Sequence, residues 1–196
     1  MKKMGSKRGV STTVGIVAVV GVVIVVLAFV YITTFNSVTA KEHEAYAQWS
    51  EIQNQYQRRC ELIPNIVDST KLYIDYERGL LTDIASARSA WTSSLGTGQM
   101  DQQMEAQMEV NSVFNRLLAV VTTENYPELK ADQVVLTLMD ELAGTENRIA
   151  VARGRYIVAV KVYNQAVSMF PGVWLGKARI PTFEAYPGVS EVPSVG

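Results

Sequence analysis

The sequence predicts an all-α protein. An N-terminal transmembrane helix continues into a long antiparallel helical bundle of about four soluble helices with coiled-coil-like packing, and an irregular C-terminal tail follows. Three observations lead there. A charge-free apolar stretch stands near the start of the chain, apolar residues after it recur at spacings of three and four, and Pro and Gly are confined to a few places. Spacings of three and four mark one face of a helix, whereas strands alternate every second residue.

The first element is the anchor. No Asp, Glu, Lys or Arg stands between Arg8 and Lys41, and residues 10–34 are almost entirely Val, Ile, Ala, Gly, Leu, Phe and Thr. Roughly 20 helical residues cross a hydrocarbon core of about 30 Å with every backbone group bonded internally. A lone β-branched strand would leave its edges unpaired in lipid, and nothing else in the chain alternates as a barrel requires. Lys2, Lys3, Lys7 and Arg8 precede the apolar run without an acidic residue. By the positive-inside rule they hold the N-terminus in the cytoplasm, which predicts a single-pass protein of the cell membrane with its helical domain on the extracytoplasmic side of the cell envelope. Two other readings compete. Val38-Thr39-Ala40 has the small residues of a signal-peptide cleavage site, although this apolar run is longer than the usual 7–15 residues. Lys7-Arg8-Gly9-Val10-Ser11 before an apolar helix faintly resembles the processing region of a pilin leader.

The soluble helices come next. Ala45, Trp49, Ile52, Tyr56 and Ile63 mark the first, and no breaker separates Phe35 from Ile63, so anchor and first helix are expected to be continuous. Pro64 interrupts or kinks it. Val67, Thr70, Ile74, Leu81, Ile84 and Trp91 then carry a seam to Ser94, with Gly79 a mild weak point. Residues 95–99 read as a turn. Residues 100–123 form another helix, with Met104, Met108, Val110, Phe114, Leu117, Leu118 and Val121 on its buried side. Residues 124–130, centred on Tyr126-Pro127, connect it to the last. There Val135, Leu142, Ile149, Tyr156, Tyr163 and Phe170 repeat every seven residues, with Leu138, Thr145, Ala152, Ala159 and Ala166 between them. Such a seam suits helices packed at a shallow angle. The expected organisation is a basic N-terminus over 1–9, a membrane helix over 10–35, a bundle over 36–170 and a Pro/Gly-rich tail over 171–196.

Charge and composition narrow the chemistry. Of 18 basic residues, four precede the apolar run, so about 14 face 19 acidic residues after it and the net charge there is −5. An acidic domain is a poor nucleic-acid binder. One Cys excludes an internal disulfide, and about 160 residues outside the membrane suffice for one core. Di-iron bundles use Glu-x-x-His pairs, and the one histidine, His43, belongs to no such pair. Glu77, Glu141 and Glu146 offer carboxylates without a ligand spacing. Cys60 and His43 stand 17 residues apart on one expected helix, about 25 Å along its axis, too far for a dyad. No catalytic residue, metal or cofactor is therefore expected.

The run Tyr-Gln-Arg-Arg-Cys-Glu-Leu-Ile-Pro-Asn-Ile-Val (56–67) resembles the N-terminal motif of LemA family proteins. Phe-Asn-Arg-Leu-Leu-Ala-Val-Val (114–121), Glu-Asn-Tyr-Pro-Glu-Leu-Lys-Ala (124–131), Asp-Glu-Leu-Ala-Gly-Thr-Glu-Asn-Arg-Ile-Ala-Val-Ala-Arg (140–153) and Tyr-Asn-Gln-Ala-Val (163–167) resemble its second half. The resemblance spans about residues 45–171. It implies a membrane helix followed by a long antiparallel bundle, and little chemistry, because the family has no agreed enzymatic activity. Two departures stand out. The segment after Phe170-Pro171-Gly172 is shorter than the family's, although Phe183-Glu184 resembles its usual end, and a His-Glu pair common in the family reads Tyr76-Glu77 here.

Polar residues on or beside the apolar seams are the remaining candidates. Glu77 and Arg88 fall on the seam of the second soluble helix, and Arg58, Arg59, Asn65, Glu146, Asn147 and Arg153 sit in the family-like motifs. They can line a ligand groove or form a structural network that fixes register; the second is the favoured reading. Tyr126 serves as a loop residue or as an exposed knob. Trp174, Phe183 and Tyr186 are costly to expose and mark a possible interaction surface. The expected function is that of a non-enzymatic membrane-anchored scaffold or adaptor, whose partners are the lipid bilayer, further copies of itself in a homo-oligomer, or another membrane protein. The alternative is a pilin-like or other surface-filament subunit.

Overall fold

A computed structural model describes residues 7–122 and 132–182, with side chains from residue 13. Four helices account for most of it: α1 over Lys7–Thr70, α2 over Arg78–Thr97, α3 over Met100–Thr122 and α4 over Gln133–Ser168. A short 3-10 turn follows at Gly172–Leu175. The described residues contain no strand, and the fold is all-α. They divide into two compact units, one joining Lys161–Ile180 to the chain through Glu44, the other joining Ala45–Val160 to the chain from Pro181.

Helix α1 is 64 residues long and runs without interruption through residues 36–40, so the apolar stretch and the first soluble segment are one helix. Its character changes along its length. Residues 13–29 are exposed on every side. From Ala45 onward Ala45, Trp49, Ile52, Tyr56, Arg59, Ile63, Ile66 and Thr70 are buried at alternating spacings of four and three. Pro64 sits inside this helix and does not end it. A mid-helix proline costs about 3 kcal/mol. Ile63 and Ile66, both 1% exposed, flank it. Burying each is worth roughly 1.5–3 kcal/mol, enough to hold the helix together across the proline.

The interruption comes later than expected. Helix α1 stops at Thr70, whose hydroxyl donates to the Ile66 carbonyl (2.6 Å) and lies 2.5 Å from the Tyr76 hydroxyl. Ile74 and Tyr76 turn inward from the connection itself. The seam read over 67–94 is thus two helices, and Ile74 packs from a loop. On α2 the buried positions are Leu80, Ile84, Ala87, Trp91 and Ser94, while Leu81 is exposed. Gly98, at φ +65, closes α2 in the left-handed conformation that favours glycine. Asp132 opens α4, its Oδ1 accepting from the amides of Val134 (2.8 Å) and Val135 (3.2 Å).

Within the larger unit, side-chain pairs fix the direction of each helix. Trp91 of α2 packs at a tilt of 42° against Tyr56 of α1, with ring centroids 5.5 Å apart. Ser94 and Asp83 of α2 meet Gln103 and Arg116 of α3, so these two helices are antiparallel. Trp49, Gln55 and Arg58 of α1 meet Tyr156, Arg148 and Glu141 of α4 in reverse order. The result is an up-down-up-down bundle. The α4 seam buries Val135, Leu142, Thr145, Ile149, Ala152, Tyr156, Ala159 and Tyr163, but Phe170 is 70% exposed. The helix ends before Phe170, which precedes Pro171 and is thereby disfavoured from helical geometry.

Candidate functional site

Two features of the fold exceed what packing alone requires. The first is a ladder of polar side chains between α1 and α3. Gln103, Gln107 and Asn111 follow one another at spacings of four on α3, and the two glutamines are buried. Gln103 Oε1 accepts from Trp49 Nε1 (2.9 Å) and Gln53 Nε2 (2.6 Å), and its own Nε2 donates to the Ser94 carbonyl (3.3 Å). One turn further, neither side-chain polar atom of Gln107 has a protein partner. Asn111 then donates to the Tyr56 hydroxyl (2.8 Å) and accepts from Arg59 Nη1 (2.5 Å).

Arg59 is the centre of this ladder. It is 2% exposed, its guanidinium carbon lies 4.4 Å from the Phe114 ring centroid, and Glu146 Oε2 stands 3.7 Å from Nη2. That last distance makes an ion pair but not a hydrogen bond, and Nε and Nη2 make none. Burial pushes the Arg59 pKa below its ordinary value, opposed by Tyr56 and Glu146. The π face of Phe114 supplies part of what water no longer does.

The other polar residues singled out by sequence have different surroundings. Arg58 pairs with Glu141 at 2.5 Å on the surface. Glu77 and Arg88 are exposed, off the buried seam of α2, with Glu77 at the position preceding the helix. Asn65 and Asn147 are exposed, Glu146 approaches Arg59, and Arg153 is partly buried. Arg59, Glu146 and the Arg58–Glu141 pair are thus tied into contacts between helices, while Glu77 makes none of these pairs and the exposed Arg88 acts on Cys60 of α1 through its charge. Tyr126, Phe183 and Tyr186 lie outside the described residues. Gln103, Gln107 and Asn111 went unread in the sequence, as did Trp49 as a hydrogen-bond donor. Met108, assigned to the buried side, is half exposed. The signal was present: the seam of Val121, Leu117, Phe114 and Val110, continued backward at the same spacing, lands on Gln107 and Gln103.

The second feature is a hook after α4. Gly172 is buried, and a Cβ there would lie 1.9 Å from the Ala166 carbonyl oxygen, so only glycine fits. The Val173 amide donates to the Met169 carbonyl (3.0 Å), the Trp174 amide to the Pro171 carbonyl (3.1 Å) and the Gly176 amide to the Val173 carbonyl (3.3 Å). The chain then returns along α4. Asn164 brackets Ile180, donating to its carbonyl and accepting from its amide, both at 2.9 Å. The Tyr163 hydroxyl donates to the Ala178 carbonyl (3.0 Å), and Lys177 pairs with Glu42. So fastened, the hook leaves Phe170, Val173 and Trp174 70%, 53% and 65% exposed. Between it and α1 runs a groove of about 590 Å³, lined by Ile24, Leu27, Tyr31, Pro171, Trp174 and Leu175 among others.

Neither feature resembles a reaction centre. Burial pushes the Cys60 thiol up to about 11, against the pull of Arg88 and Arg59, so it is neutral and a poor nucleophile near pH 7. Burial likewise raises the Tyr156 hydroxyl, which donates to the Pro181 carbonyl at 2.6 Å. Among the described residues no three His, Cys, Asp or Glu side chains converge as metal ligands do.

A search of curated proteins finds no match to this chain. The family model of LemA proteins matches residues 48–195, extending past the segment where the motifs end at about 171. With that match covering most of its length, the chain belongs to the LemA family.

Proposed function

We propose that the protein is a non-enzymatic scaffold, held in the membrane by residues 10–35 with its N-terminus in the cytoplasm, that acts through association of its bundle with a second copy of itself or with another membrane-associated protein. One observation carries the reading. On the outward face of α4, Ala143, Asn147, Val151, Gly154 and Val158 succeed one another at spacings of three and four, all exposed and none charged. A charge-free strip of about four turns on the solvent side is the pattern by which helices pair. Val158 is 62% exposed and Val151 46%. The enclosed side of the same helix is already filled, which leaves the outer face for a partner.

Size analysis of the mildly extracted full chain tests this together with crosslinking in intact membranes. Val158→Lys is expected to lower the recovered mass or abolish the crosslinks without changing thermal stability. A monomer that captures no partner in either form overturns the scaffold reading. The apolar helix is exposed on all sides over residues 13–29, which also suits the core of a surface filament. N-terminal sequencing separates the two: loss of the basic leader with retention of the apolar helix favours the filament.

A further inference from the structure

We propose that the hook over residues 169–175 is a second membrane contact, seated in the outer lipid interface, and that it sets the depth at which α1 crosses the bilayer. The inference rests on reading residues 10–35 as a membrane span.

The span by itself leaves its position open. The charge-free window covers residues 9–40, about 48 Å of helix, whereas a hydrocarbon core takes up only about 30 Å. Something else must choose which part of the window lies in lipid. The chemistry of α1 changes near its outer end. Below Leu27 the exposed side chains are almost all aliphatic, and Phe29, Tyr31 and Phe35 follow, each exposed. Thr33 and Thr34 turn their hydroxyls back onto the Phe29 and Val30 carbonyls (2.9 Å and 2.7 Å), which removes their need for water. Beyond them come Thr39, Lys41 and Glu42.

The hook belongs to the aromatic level of this gradient. Its Trp174 and Leu175 wall the same groove as Ile24, Leu27 and Tyr31. Phe170 and Trp174 meet edge to face at 4.8 Å. Lys177 lies 5.6 Å from the Phe35 ring centroid and pairs with Glu42, placing a cation just beyond the aromatic residues. Tryptophan and tyrosine at the headgroup boundary with lysine outside it is the ordering of a membrane interface. The display is built into the fold, since Gly172, Asn164 and Tyr163 fix the segment in place. Bilayer lipid is the one occupant continuous with the surface that α1 already presents. With the outer boundary near residue 34, about 20 residues inward reaches residue 14, leaving Arg8 at the opposite headgroups.

The test uses the full chain in phosphatidylcholine vesicles carrying brominated acyl chains, which quench tryptophan at short range. Of the three tryptophans, Trp49 and Trp91 are 4% and 0% exposed and provide the shielded background. Shallow bromines are expected to remove about a third of the wild-type emission, one tryptophan of three, deep bromines less, and neither to affect Trp174→Phe. Flotation is measured on the same sample. Protein that floats with the vesicles yet shows equal quenching in wild type and Trp174→Phe refutes the hook and leaves the span intact. Protein that does not float refutes both. Val173→Cys provides a second readout: a nitroxide there is expected to be accessible to oxygen and shielded from a water-soluble nickel chelate. A disulfide dimer through Cys at 173, without lipid quenching, assigns the face to a second copy and overturns the proposal.

Discussion

Replacing Arg59 and Asn111 singly and together separates a structural polar network from a solvated one. Asn111→Leu leaves a 2% exposed guanidinium facing Phe114, with Glu146 at 3.7 Å as its nearest anion. The ion pair with Glu146 remains, and leaving a buried charged donor without its acceptor costs about 3 kcal/mol, the upper end for a buried polar group. Arg59→Met keeps the aliphatic stem and removes the charge, so it forfeits the bond to Asn111 Oδ1 and the cation–π contact. Stranding one acceptor costs about 1–3 kcal/mol, offset in part by relief of the guanidinium's desolvation. With both replaced, each variant's stranded partner is gone, and the pair is expected to recover at least about 2 kcal/mol relative to the sum of the singles. For a chain of this length 1 kcal/mol corresponds to roughly 2–4 °C. Thermal unfolding of the full chain in mild detergent, followed by circular dichroism, should therefore place Asn111→Leu about 6–12 °C below wild type, and the double variant above Asn111→Leu. Additive losses, or an Asn111→Leu protein as stable as wild type, would show that Arg59 is solvated and the ladder incidental.

Three further outcomes follow from the same core. Gln107→Leu should raise the midpoint by about 2–6 °C, because a buried amide without protein partners is exchanged for a side chain that needs none; a fall would show that the amide is satisfied. Cys60, with its thiol pushed up to about 11, should resist maleimide at pH 7.5 in the folded chain and react at once in denaturant. Because the unfolded thiol ionises first, its contribution to stability is full below about pH 8.5 and declines as pH rises toward 11, which denaturation midpoints at successive pH values would register; rapid labelling of the native protein would contradict the burial. Gly172→Ala places a methyl 1.9 Å from the Ala166 carbonyl, and should release the return segment to limited proteolysis after Lys177 or Arg179. An unchanged digestion pattern would mean that the hook can shift to absorb the methyl.

How much could be read beforehand depended on whether a position's chemistry agreed with its geometry. Trp49, Ile52, Tyr56, Ile63, Leu142, Ile149 and Tyr156 are apolar residues at apolar positions, and periodicity alone found them. Arg59 and Gln107 occupy equivalent buried positions with the wrong chemistry; Arg59 was singled out only through its motif, while on α3 a search for apolar residues passed over Gln107 and took exposed Met108 instead. Pro64 erred in the opposite sense. A residue that breaks isolated helices is tolerated here because Ile63 and Ile66 are buried beside it, whereas the true end, at Thr70, depends on a hydroxyl contact with Tyr76 that no local pattern reveals. The hook was legible only as an irregular aromatic tail. Its geometry is fixed by Asn164 and Gly172, whose roles require knowing that the chain doubles back along α4.

The ladder between α1 and α3 also bears on how this core can change over generations. Heptad seams are nearly interchangeable along their length, and moving α3 by seven residues along α1 would set Val110 against the Trp49 indole nitrogen and Leu118 against Arg59. Both donors would then face hydrocarbon where α3 now supplies an amide oxygen. A lineage that loses Asn111 must lose the Arg59 charge in nearly the same step. Positions 59 and 111, distant in the chain and separated by a helix and two turns, are therefore expected to vary as a pair among descendants of this fold.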